Sequence, residues 1–98
     1  MDSKASDQFQ FVKFRKSRTL NKKYDLIIRD KNTKRLQTVP FGDTRYNHYM
    51  DSALGYYSHL NHYDEKRRQA YLARHEKTRH KKFSASWASA TFLWSANR

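Results

Sequence analysis

The chain contains no cysteine, one proline and two glycines among 98 residues. Without cysteine there is no disulfide and no zinc site of thiolate type. Two glycines are too few for a Gly-rich loop that cradles phosphate, and no nucleophile elbow is present. No stretch approaches the roughly 18 apolar residues of a membrane span. The opening MDSKASDQFQ carries two Asp and no apolar run, so it reads as neither a secretory signal nor a transit peptide. Acids are scarce too: nine Asp and Glu stand against 21 Lys and Arg, a formal net charge of +12. That balance points to an anionic partner, whether nucleic acid, an acidic protein surface or anionic lipid. The expectation is a soluble protein of a reducing compartment.

What is present is aromatic. Apolar residues make up only 37% of the chain, but 15% of it is Phe, Tyr and Trp. Each such ring buries about 150–250 Å², so a few of them can build the core of one small domain. The pattern predicts an α+β fold: a flexible segment at 1–7, then a single basic domain over 8–98, with a three-stranded antiparallel meander followed by two or three helices. QFQFVKFRK (8–16) places Phe9 and Phe11 in one phase and Val12 and Phe14 in the other, which suggests a bulge or a strand buried on both faces. KYDLIIRD (23–30) alternates cleanly, with Tyr24, Leu26 and Ile28 facing one way. KNTK (31–34) reads as a turn, and RLQTV (35–39) as a strand ended by Pro40, which has no N–H to donate. SALGYYSHLNHY (52–63) suggests a short helix weakened by Gly55.

The stretch YDEKRRQAYLARHEKTRHKK (63–82) reads as a helix capped by Asp64, with Glu65 in its first turn. It holds eight Lys or Arg, three acids and two His. Expected pairs one turn apart are Asp64–Arg68 and Glu76–His80. Lys66, Arg67, Lys77, Lys81 and Lys82 fall largely off the apolar stripe and are the candidate partner-binding residues. Tyr71, Arg74 and His75 face inward in this reading and anchor the helix to the loop of Tyr49 and Asp51, with Arg74 ion-paired there. SASWASATFLWSANR reads as a last helix capped by Ser84 or Ser86, with Trp87, Ala90 and Trp94 along one face. Trp94 belongs to the core set and Trp87 to the candidate docking set, since Trp, Tyr and Arg dominate interface hot spots.

His48, His59, His62, His75 and His80 raise the question of a metal. His59 and His62, with Asp51 or His75, have weak ligand spacing and lack an HExxH pattern, so no metal is expected. No spacing argues for a catalytic site, and neither an enzyme nor a cofactor is expected. No zinc finger, RNP-type motif or heptad zipper marks a sequence-reading nucleic-acid module.

FGDTRYNHYMD, YSHLNHYDEKRRQAYLARH and SASWASATFLW resemble a family of small basic proteins encoded by large nucleocytoplasmic DNA viruses and found in some algal genomes. The matching positions are Phe41, Gly42, Tyr49, Asp51, Tyr56, Ser58, His59, Leu60, His62, Asp64, Arg67, Arg68, Tyr71, Arg74, His75, Ser89, Leu93 and Trp94. They cover roughly 36 to 95, most specifically 56 to 75. Asn61 stands where that family often has Asp, which removes a charge, and SASW replaces a Pro-Gly or Ala-Gly. The resemblance implies a virus-encoded protein located in the virion, and in host cytoplasm or the viral factory during assembly. The resemblance carries no activity to transfer, but it tilts the partner towards capsid proteins or packaged DNA; the expected function is a minor capsid or cement-type structural component that binds acidic surfaces of neighbouring capsid proteins. The alternative is a nucleic-acid-binding protein that packages or tethers viral DNA.

Overall fold

The computed structural model describes residues 8–96, so the expected flexible segment 1–7 lies outside the described residues. Three strands, β1 (Phe9–Lys16), β2 (Lys22–Asp30) and β3 (Leu36–Asp43), form an antiparallel sheet in that order. Two α-helices follow, α1 (Glu65–Arg74) and α2 (Ala85–Phe92), with a 3-10 turn at Ser58–Leu60 before them. The α+β meander read from the sequence is therefore the observed architecture.

The phase conflict in β1 is resolved by a bulge between Phe11 and Lys13. One extra residue there puts Phe11 opposite Ile28 and Phe14 opposite Leu26, so both Phe rings share the face of Tyr24, Leu26 and Ile28. β2 is the central strand and is buried almost throughout. Its far face carries Asp25 and Ile27, 1% and 3% exposed, flanked by Arg15 and Lys13 of β1. Arg15 Nε bonds Asp25 at 2.9 Å, and burial of such a pair is tolerable because the charges meet. The turn into β3 is set by Asp30, whose carboxylate accepts from the N–H of Asn32 and Thr33.

Three expectations need correction. β3 does not end at Pro40 but runs on to Asp43. It is an edge strand, where a proline can sit without costing a ladder bond if its nitrogen faces outward. Residues 52–63 hold only the short 3-10 turn, and Gly55 at φ 79° breaks any longer helix. The helix read over 63–82 stops at Arg74, and His75 caps it. Beyond it Lys77, Arg79, Lys81 and Lys82 would stack like charges three and four residues apart, which disfavours another helical turn.

The core lies between the Tyr24 face of the sheet and α2. α2 starts at Ser84, whose Oγ accepts from the Trp87 N–H at 3.1 Å. Its inward residues are small, Ala88, Ser89 and Ala90, so it packs close to β3. Gly42 marks the tightest approach. It holds φ 78°, and a Cβ there would lie 2.8 Å from Leu93 Cδ1. The segment after β3 is stitched to the end of α2 by backbone bonds, Met50 N–H to Leu93 O and Ser52 N–H to Phe92 O.

Candidate anion-binding cleft

α1 has no fully buried residue. Its N-terminus is satisfied by Asp64, which accepts from the N–H of Lys66 and Arg67. That carboxylate is therefore occupied by the cap, and Arg68 pairs with Glu65 at 2.7 Å rather than with Asp64 as expected. Arg68 Nε also donates to the Trp94 carbonyl at 2.9 Å, and its guanidinium lies 5.7 Å from the centre of the Tyr49 ring. The main attachment is aromatic. Tyr71 stacks on Trp94 with centroids 4.2 Å apart and planes 2° apart, and His75 lies against Tyr71 at 4.3 Å.

The anchors expected from the sequence thus divide. Tyr71, His75 and Trp94 hold the helix. Tyr49 sits beneath Arg68 and beside His62 and Tyr63. Arg74 is exposed and makes no described ion pair, so its expected inward pairing with Asp51 is not what forms. Asp51 is committed elsewhere. One oxygen accepts from the Tyr24 hydroxyl at 2.6 Å and the Tyr57 N–H, the other from the Ala53 N–H. Arg68, not Arg74, supplies the polar latch of the helix.

On the side of α1 that faces the sheet is a cleft of about 480 Å³. Lys22 and Lys23 of β2, and Arg67 and Arg74 of α1, line it with Tyr71, His75 and Trp94. Gly42 and Leu93 lie at its floor, where the glycine leaves room for the Lys23 stem. The one acid of the lining, Asp43, is held by Arg45 through contacts of 3.0 and 2.8 Å, which keeps its carboxyl well below the usual range. A larger hollow of about 680 Å³ spans Met50–Ala53 and Thr91–Ser95. It offers no cation, and its acid is the already saturated Asp51.

Behind the floor runs a buried polar chain. Lys23, 2% exposed, donates through Nζ to the Tyr46 carbonyl at 2.9 Å and to His48 Nδ1 at 2.8 Å. Because lysine only donates, Nδ1 must accept, and the ring proton sits on Nε2. That Nε2–H donates to Asn61 Oδ1 at 2.6 Å, which also accepts the Asp51 N–H. Burial, followed by the Lys23 charge, lowers His48 to about 4, so the ring is neutral near pH 7. Burial likewise brings the Lys23 amine down to about 8, against an upward pull from Asp43 and Asp51. Asn61, whose neutrality looked like a missing charge, is the amide that joins His48 to the Asp51 loop.

The candidate partner-binding lysines and Arg67 are all exposed, but they do not form one patch. Arg67 lines the cleft, whereas Lys81 and Lys82 border a groove with Phe9 and Val39. Trp87 is half-buried, edge-on to Phe83 at 5.4 Å and to Phe92 at 5.6 Å, so packing occupies much of its surface. The histidines lie in separate aromatic contacts, His59 against Tyr57 and His62 against Trp94. Among the described residues no group of three or more His, Asp or Glu is placed to share a metal ion. No helix among them is long and apolar enough to cross a membrane.

Sequence reasoning missed Lys22, Lys23 and Asn61. A lysine beside a Tyr in an alternating strand looks like an outward residue, and nothing local marks it as buried. His48 was visible only as one histidine among five. In comparisons with known proteins the chain matches no family model, no curated protein and no solved structure.

Proposed function

We propose that the chain is a virion structural protein, a minor capsid or cement-type component that docks its basic surface on acidic faces of neighbouring capsid proteins. One observation carries the docking part of this reading. Every acid of 64–82 is already used: Asp64 by the cap, Glu65 by Arg68 and Gln69, Glu76 by Arg79 and His80. Lys66, Arg67, Lys77, Lys81 and Lys82 stay exposed and uncompensated among the described residues. Such a surface attracts an anionic partner, and exposed Tyr46, Tyr56 and Tyr63 add the amphipathic rings that interfaces favour. The viral setting is supported by the resemblance of the three quoted stretches.

The second reading, packaging of DNA, rests on the same uncompensated charge, which would serve phosphates equally well. Replacing the five bases by Gln separates the two. A docking face predicts that the variant folds but is not incorporated into particles, while wild-type DNA binding is weak and sequence-blind at physiological salt. A packaging face predicts tight DNA binding whose salt slope becomes shallower by about 0.9 for each phosphate that the variant no longer neutralises. Nanomolar DNA binding by the wild type, with normal particle entry of the variant, overturns the docking reading.

A further inference from the structure

We propose that the cleft between α1 and the β2–β3 end of the sheet is a binding site for an oligophosphate, a run of three linked phosphates such as a nucleoside triphosphate carries. The first support is Lys23. It is almost wholly buried, its two described partners are a carbonyl and a neutral imidazole, and no carboxylate pairs with it among the described residues. Buried charges are ordinarily paired, so this amine, held behind the cleft wall without an ion pair, favours an anion in the cleft through its field rather than by contact. Burial lowers the proton affinity of its amine, and the more distant Asp43 and Asp51 offset that only in part.

The second support is span and charge. Arg67 and Arg74 lie on one face of α1, seven residues and therefore about 10 Å apart along the axis. With Lys22 and Lys23 they place four cations around one cleft, against an Asp43 already neutralised by Arg45. An extended acidic peptide brings carboxylates to one face only every second residue, about 6.6 Å, so at most two would fit that span. Linked phosphates stand less than half that distance apart, and each carries at least one negative charge. Four cations in one small cleft are matched by the phosphates and under-used by the peptide.

The third support concerns the rings. One face of Trp94 is covered by Tyr71, its surroundings also include His62 at 5.2 Å, and Tyr71 lies between Trp94 and His75. Tyr46, which also lines the cleft, is 66% exposed with Arg45 against its ring, and it offers a surface to a nucleobase. The phosphates supply the charge match, and a base resting on Tyr46 adds to it.

Calorimetric titration of the full chain with sodium tripolyphosphate, near pH 7 and about 0.15 M salt where surface charges are largely screened, tests this. Saturable one-to-one binding is expected. Adenosine triphosphate should bind at least as tightly as tripolyphosphate, since Tyr46 can meet its base. The R67Q/R74Q pair should weaken binding about tenfold or more, the equivalent of 1.4 kcal/mol. The control pair K66Q/K77Q removes the same charge outside the cleft and should change affinity by no more than about threefold. All four positions are exposed, so both variants should fold, which thermal melts verify. Equal weakening by both pairs would show diffuse attraction and overturn the site. So would a glutamate peptide or a single-stranded oligonucleotide that binds more tightly than tripolyphosphate, or no saturable binding at all.

Discussion

Acidification should unfold this protein through one buried imidazole. His48 is 0% exposed, accepts a bond from Lys23 and donates one to Asn61. Its proton affinity falls from the ordinary 6.5 to about 4, chiefly by burial and then by the Lys23 charge. The unfolded chain therefore binds the proton first. Stability attributable to this ring is complete above about pH 6.5, declines as the pH falls, and levels off below about 4. Between about pH 8 and pH 5 the two values give a loss of about 2 kcal/mol. His62, also lowered by burial, adds to the loss in the same direction. The carboxylates held low by partners, Asp25, Asp30, Asp43, Glu65 and Glu76, begin to weaken the fold only as their unfolded counterparts protonate, which is mostly below pH 5. The assay is urea unfolding at half-unit pH steps across that window, for the wild type and for His48→Gln. The variant should be somewhat less stable at pH 8, because an amide that accepts from Lys23 and donates to Asn61 does not fill the space of the buried ring, but its pH-dependent loss should be smaller by about 2 kcal/mol. The reasoning is refuted if both proteins lose the same amount, or if the His48 ring titrates near 6.5 in NMR spectra of the folded wild type.

Further outcomes follow from single contacts. Gly42→Ala forces a side chain into the left-handed region and against Leu93 and Lys23, and should cost about 2 to 4 kcal/mol in chemical denaturation. Tyr24→Phe strips a 2.6 Å bond from the buried Asp51 and leaves the Tyr56 N–H without its acceptor, for a loss of about 1.5 to 3 kcal/mol in the same experiment. Arg74→Ala should change stability by less than about 0.5 kcal/mol, since the side chain is exposed and has no ion pair among the described residues, whereas Arg68→Ala should cost about 1 kcal/mol or more because its bond to the Trp94 carbonyl disappears. Trp94→Ala removes the ring on which Tyr71 stacks and should raise amide exchange along α1 more than in β2.

The elements were legible because their causes are local. A period of two with β-branched and aromatic residues made β2 readable; Asp64 marked the start of α1, and the start of α2 was narrowed to Ser84 or Ser86, of which the structure uses Ser84. The bulge in β1 showed as a break of phase at Val12. The ends were less legible. Pro40 stays inside β3 only because that strand is an edge, and α1 stops at Arg74 where like charges accumulate. The net charge of +12 came from counting alone, and with it the sign of any partner.

The cleft was decided by tertiary structure. Lys23 is separated from His48 by 25 residues and Tyr24 from Asp51 by 27, and no spacing pattern spans such intervals. Whether a lysine on an alternating strand ends in water or in a protein interior depends on what folds over it. Here the chain after Gly42 returns across the start of β2, brings the Tyr46 carbonyl and the His48 ring to one amine, and removes that amine from solvent. Composition determines that the molecule is a cation; only the stacking of α1 on Trp94, beside the sheet end, gathers Lys22, Lys23, Arg67 and Arg74 around a single space.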